Sequence, residues 1–339
     1  MTRPAPFSPP PITLLSLLLA AAFILSLSAG KIWIAPADWF ADNADGWIMA
    51  ELRMPRALLG LAIGAVLGLS GAALQGYLRN PLADPTVVGV SSCAALGGVA
   101  AIFFGLSVWP YGIFVCAMVA AGCSLLLLGL MAGYGSARGM PAGPLGFLLG
   151  GMVLSTLAGS LTAFLISIAP NPYATGEIIT WLMGAITDRT WDDVIRAGPF
   201  MAAGAGLLMM TGRSLDGLTL GEVGARSMGV NMTRLRWLII GGVGLAVGAS
   251  VAVSGVVGFV GLIVPHVMRS FVGEKPSAIL IPSALGGAIL TLTADSLVRL
   301  IPGPSEIRLG IVMAVLGAPF FLAILLRART QGAGGFGHA

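Results

Sequence analysis

Of the 339 residues, 57% are hydrophobic and only 9% charged, and the formal net charge is +4 at pH 7. A soluble domain carries about 25% charged residues, so this composition excludes a water-soluble globular protein and predicts an all-α polytopic membrane protein. No nucleic-acid partner is expected; membrane lipid is.

The Pro-rich opening, residues 1–11, is followed by an apolar run from Ile12 to Ala29. A cleaved signal peptide is the other reading of that run. Only Arg3 precedes it, however, and Pro4, Pro6, Pro9, Pro10 and Pro11 make a poor basic leader, so it is taken as a first membrane helix. A spanning helix needs roughly 20 apolar residues. Further runs start near Ala57, Val87, Tyr111, Gly146, Val194, Trp237, Val256, Ile279 and Ile307. The expectation is about ten transmembrane helices in one domain over residues 12–328, with a Gly-rich tail at 329–339. Cys93, Cys116 and Cys123 lie inside apolar runs without metal-ligand spacing and read as small packing residues, so no cofactor or metal is expected.

Compact polar signatures interrupt the runs: RMPR at Arg53–Arg56, RNPLADP at Arg79–Pro85, a Ser254–Arg269 segment ending in Pro-His-x-x-Arg, and ADSLVRLIPGPSE at Ala294–Glu306. Arg53 and Arg56 stand at the mouth of the second helix and Arg299 at the end of the ninth. Their fork-shaped donors suit carboxylates on a partner protein or an anionic solute; capping a helix end or snorkelling to headgroups is the plainer alternative. Asn80-Pro81 breaks a helix, because proline lacks a donor and restricts its predecessor. A lone histidine at a helix end, His266, reads more simply as structure than as a metal ligand.

The connection Arg213–Arg236 mixes four arginines with Leu218, Leu220, Val223, Met228 and Val230. Short amphipathic helices separated by Gly221, Gly224 and Gly229 are expected there. An apolar surface ringed by charge suits another protein, or else a lipid headgroup layer. With both termini cytoplasmic, this connection faces the cytosol and the larger share of the basic residues lies on that side. The chain holds two lysines and no phosphate-wrapping loop: Lys31 has Leu25 where the first glycine of such a loop belongs, and Lys275 follows Glu274. Any energy from ATP must come from a separate subunit.

RMPR, GAALQGYLRNPLADPTVVGV, WLMGA at Trp181–Ala185, LGEVGARSMGV, SGVVGFVGLIVPHVMR and LGAPFFLAILLR occur in the order and spacing of permease subunits of type II ABC importers for iron siderophores, haem and vitamin B12, a family this chain resembles over nearly its whole length. The resemblance implies the type II ABC importer permease fold in the bacterial inner membrane. It also implies a homodimer, or a pair with a close relative, around one translocation path. Two cytoplasmic ATPase subunits would bind beneath, and a periplasmic substrate-binding protein above. Arg53, Arg56 and Arg299 match positions that receive acidic residues of the binding protein, as exposed charges whose attraction salt would screen. The loop matching Leu215–Arg236 implies coupling helices, with Leu220, Gly221, Glu222, Ala225, Arg226 and Gly229 as candidate ATPase contacts and Glu222, Ala225 and Arg226 at the centre. Asn80, Pro81 and Leu82, with Pro144 and Leu145, match the cytoplasmic gate. One departure stands out: the family's Glu-Leu-Pro-Val-Gly is here Glu306-Ile307-Arg308-Leu309-Gly310, so an arginine replaces a common proline.

The implied function is ATP-driven import of an iron chelate, siderophore or haem, with vitamin B12 as the alternative. An ion-coupled carrier would place carboxylates or histidines within the membrane, whereas the acidic residues here are expected in loops and at helix ends. A membrane enzyme would need clustered His, Asp or Glu at catalytic spacing, and the chain has two histidines.

Overall fold

The computed structural model describes residues 11–86, 88–134, 144–302 and 306–333, and among these it contains helices and no strand. In chain order the helices are α1 (Pro11–Ser28), α2 (Ala44–Ile48), α3 (Met54–Leu78), α4 (Val90–Phe103), α5 (Gly112–Tyr134), α6 (Pro144–Ser167), α7 (Pro172–Leu182), α8 (Trp191–Met209), α9 (Gly212–Leu218), α10 (Gly221–Ser227), α11 (Met232–Ser254), α12 (Val260–Val272), α13 (Pro276–Leu300) and α14 (Leu309–Ala333). A π-helical turn, Met49–Arg53, joins α2 to α3, so that Ala44–Leu78 forms one 35-residue span.

Among the described residues five helices are long and apolar enough to cross a membrane, and α8 with α9, bent by 43°, makes a sixth if the pair is one span. Four shorter apolar helices, Ile12–Ser28, Val90–Phe103, Val260–Val272 and Leu309–Ala323, complete the set. Each corresponds to one of the ten apolar runs. Several starts fall earlier than expected, α11 at Met232 rather than Trp237 among them, and two fall later for a local reason. The eighth run opens at Val256, but α12 starts only at Val260 because Gly255 and Phe259 take positive φ values of 68° and 67°. Likewise α4 starts at Val90, after Gly89 at φ 87°.

Helix α3 is the axis of the bundle. Its small residues let the backbone of α13 come close: a Cβ on Gly64 would overlap the Gly287 carbonyl, and one on Gly68 the Ser283 carbonyl. Close backbone approach through small residues is how helices associate where no hydrophobic drive acts between them. In contrast α5 and α6 turn Val119, Leu126, Met152, Val153, Leu157 and Phe164 outward, the surface a lipid or a second subunit would cover.

The 25 residues of α3 span roughly 37 Å at 1.5 Å per residue. RMPR and RNPLADP therefore lie at opposite ends of the bundle. Antiparallel α13 returns from Pro276 beside the second signature to Arg299 beside the first. Its N-terminus is capped from α9, where the Asp216 carboxylate accepts from Ser277 N (2.8 Å) and Ser277 Oγ (2.7 Å); a side-chain oxygen on the free N–H groups of a first turn is stabilising.

Candidate functional site

At one end the structure gathers Arg53, Arg56 and Arg299, and it does not leave them exposed. Their accessibilities are 8%, 9% and 6%, which corrects the expectation of exposed charges. The reason is the carbonyl-rich end of α1. Arg53 Nη1 donates to Leu27 O (2.9 Å) and Ser28 O (2.6 Å), and its Nη2 to Ile32 O. Arg299 Nη1 donates to Ala29 O (3.0 Å) and Nη2 to Ser26 Oγ (2.8 Å). Cations at a helix C-terminus meet both orphan carbonyls and the negative end of the dipole.

Arg56 is gripped differently. Its Nε lies 3.0 Å from Asp295 Oδ2 and its Nη2 is 2.8 Å from Asp295 Oδ1, a bidentate pair. The same Nη2 lies 2.8 Å from Glu306 Oε2, which also accepts from Thr187 Oγ1 at 3.2 Å. Asp295 is shared with Arg299 Nη2 at 3.2 Å. Burial alone would raise the Glu306 pKa, but the bond and charge of Arg56, with Thr187 and Arg299, hold it below the usual glutamate range. A cavity of about 300 Å³ opens over this cluster, lined also by Lys31 and Arg189. Asp295 corrects a second expectation: it is an acidic group buried inside a membrane helix, but two arginines neutralise it, so it offers no free carboxylate for a coupling ion.

At the opposite end RNPLADP turns back into the bundle. Arg79 ends α3 in the left-handed region at φ 49°, and Leu82 N donates to Asn80 Oδ1 at 2.9 Å. Gln75 Nε2 donates both to Ala83 O and to Gly261 O, each at 3.2 Å, tying the loop to the first turn of α12. Asp84 is buried; its Oδ1 accepts from Thr86 N (2.9 Å) and Thr86 Oγ1 (2.6 Å). Burial pushes its pKa up, against the hydrogen bonds from Thr86 and Leu262 N. The donor at Leu262 makes Asp84 a long-range cap for α12, the job an N-cap residue does locally. Leu82, Asp84 and Thr86 line a largely apolar cavity of about 530 Å³ with Phe259, Leu262 and Ile311. Asn80 and Pro81 sit at the loop's outer turn, and the side chains of Pro144 and Leu145 lie outside the described residues.

The coupling candidates fall on α10 and its flanks. Leu220 and Val223 are exposed, Val223 by 80%, as is Met228. Glu222 and Arg226 form an i,i+4 pair at 3.4 Å on the same helix. Gly221 (φ 85°) and Gly229 (φ 80°) bracket the helix in a conformation that favours glycine. Ala225 differs from expectation: it is fully buried, since it packs inward from the seven-residue helix, so the outward face is built from Leu220, Val223 and Met228. Leu218 is likewise buried. His266 meets Phe320 edge to face at 5.9 Å, and the described residues hold no metal-binding group of His, Cys, Asp or Glu.

What sequence reasoning missed is the set of carboxylate partners, Asp295, Glu306 and Asp84. Asp295 had a signal in its i,i+4 spacing from Arg299; its pairing with Arg56, 239 residues away, had none.

A bundle of apolar helices that buries a charge network at one end, and presents an exposed apolar helix face with a re-entrant loop at the other, is the architecture of a transport permease. The model of the FecCD transport family matches residues 18–327, and the chain belongs to that family. It is 38% identical over 325 residues to the Fe(3+)-citrate import system permease protein YfmD of Bacillus subtilis (strain 168), covering 94% of each chain. It is 35% identical to the vitamin B12 import system permease protein BtuC of Escherichia coli O9:H4 (strain HS), covering 93% of this chain and 94% of that one. Among solved structures, a metal-chelate type ABC transporter in an inward-facing conformation superposes with a TM-score of 0.84 at 34% identity, covering 93% of this chain and 98% of the other.

Proposed function

We propose that this permease imports an iron chelate, a ferric siderophore or haem, from periplasm to cytoplasm across the bacterial inner membrane, with both termini cytoplasmic. Two ATPase subunits supply the energy, a periplasmic binding protein delivers the solute, and a second permease subunit completes the path. The observation that carries this reading is the α10 face: exposed Leu220, Val223 and Met228 ringed by Glu222 and Arg226, at the end of the bundle opposite the arginine cluster. A lone membrane protein gains nothing from an exposed apolar face rimmed by charge, whereas a docked ATPase would cover it. The re-entrant Asn80–Leu82 loop, with the start of α6 at Pro144 and Leu145, is the proposed gate, because apolar and small groups close a path without a charged plug.

Arg53, Arg56 and Arg299 remain the proposed receiving end for the binding protein, in a form revised by their burial. Only Arg56 touches a partly accessible carboxylate, Glu306, so an acidic side chain of the binding protein would compete with Glu306 for it. Docking would then act on the segment leading into α14.

Iron-citrate and metal-chelate relatives favour an iron carrier; the vitamin B12 relative supports the second reading. Uptake of labelled haem, a ferric siderophore and cobalamin into proteoliposomes with the ATPase and binding protein decides between them. ATP-dependent entry of an iron chelate is expected, and entry of cobalamin alone would move the assignment to the second reading.

A further inference from the structure

Two arginines outside the cluster face one cavity, and neither is held in an ion pair there. Arg189, between α7 and α8, and Arg308, just before α14, line a space of about 360 Å³ walled by Thr180, Trp181, Ala185 and Ser254. Among the described residues neither arginine forms an ion pair, and the Nε of Arg189 is buried without a hydrogen-bond partner. Glu177 and Asp188 also reach this cavity; both are exposed to solvent, and neither lies within ion-pair distance of Arg189 or Arg308. Burial lowers the Arg189 pKa; Asp193 and Asp188 oppose that shift, and the charge of Arg308 adds to it.

The site is built rather than incidental. Ala185 N donates to Ser254 O at 2.7 Å and Gly310 N to Gly184 O at 3.1 Å, which fastens the segments bearing both arginines to the end of α11. Gly184 and Gly255 both sit at φ 68°, where a Cβ would strike the Val256 and Trp181 carbonyls. Two guanidinium groups on one cavity, carried by a fastened backbone and one of them with an unmet buried donor, suit one kind of ligand: a carboxylate accepting forked hydrogen bonds from both. The volume falls within the range of small-molecule sites. Arg189 also lines the cavity over the Arg53–Arg56–Arg299 cluster, so the two cavities share a wall.

We propose that Arg189 and Arg308 form a carboxylate-binding subsite for the transported solute, selecting ferric chelates that carry peripheral carboxylates over neutral ones. The proposal rests on the importer reading and narrows its substrate class. The departure from the family's proline at position 308 thereby acquires a role: it supplies the second guanidinium.

The test is equilibrium binding of ferric citrate and of a neutral ferric hydroxamate to the full chain in nanodiscs, without ATP, for wild type, Arg308→Gln, Arg308→Pro, Arg189→Gln and Arg189→Lys. Wild type should prefer ferric citrate, and each neutral substitution should cut that preference about tenfold, the worth of one charge-assisted contact; Arg189→Lys should retain part of it. Equal affinity of wild type for the two probes, or a preference that survives both neutral substitutions, overturns the proposal. Binding of the variants to the periplasmic binding protein is measured alongside, and a loss confined to that affinity overturns the proposal too, assigning the carboxylate to that partner. ATP-driven uptake of the neutral chelate, measured separately, reports on the importer reading, so a failure there is told apart from a failure of the subsite.

Discussion

The arginine cluster at one end of the bundle and the α10 face at the other use arginine in opposite ways. At one end Arg53, Arg56 and Arg299 are buried and every one of them is hydrogen-bonded to α1, Asp295 or Glu306. At the other, the side chain of Arg226 is 66% exposed and, among the described residues, pairs with Glu222 at 3.4 Å. A buried charge that loses its partner is costly, whereas an exposed pair contributes little. The first end is therefore a scaffold that tolerates little change, and the second is a surface free to be shaped for a partner.

The comparison breaks most directly at Asp295. Replacing it with alanine leaves Arg56 with Glu306 as its ion-pair partner and Arg299 with neutral acceptors only; a loss of about 3–5 kcal/mol is expected, read as failure to recover folded protein or a collapse of the thermal transition in detergent. Unchanged melting would show that the cluster is hydrated and dispensable. A smaller effect is expected for Arg53→Met, which takes its donors from the Leu27 and Ile32 carbonyls and leaves Ser28 O with Ile34 N at 3.3 Å. About 1–3 kcal/mol should be lost, with faster proteolysis in the segment after α1; a protease pattern like wild type would remove Arg53 from the latch.

Next comes pH. Glu306 has its folded-state pKa lowered, so its contribution is fully present above the ordinary value of 4.5 and is lost as pH falls through the lowered native value. Acid melting curves of wild type should therefore show a drop in this region that Glu306→Gln flattens. Parallel curves would mean that Arg56 is held by Asp295 alone. The smallest effect on stability is expected for Glu222→Ala with Arg226→Ala, below about 1 kcal/mol, together with ATP hydrolysis that no longer tracks uptake. Normal coupling in this double variant would withdraw the proposed role of α10.

Much of this architecture was legible in the chain because lipid imposes a coarse rule: a long apolar run must be a helix. All ten runs could be read as helices, although α4 and α12 start late where Gly89, Gly255 and Phe259 take positive φ, and α11 starts early, at Met232 rather than Trp237. Helix α7, at 11 residues, is too short to register as a span, yet it walls the Arg189–Arg308 cavity. The arginines could be picked out as candidates but not their state, since burial of Arg56 depends on Asp295, remote in sequence. Ala225 failed for another reason: two turns of helix carry too few residues for periodicity to tell the inward face from the outward one.

The energy source is the central claim. Solute uptake into proteoliposomes containing this chain and its ATPase should be measured with ATP alone and then with an imposed proton or sodium gradient alone. The account predicts accumulation with ATP and none with the gradient; accumulation that follows the gradient and ignores ATP would contradict it.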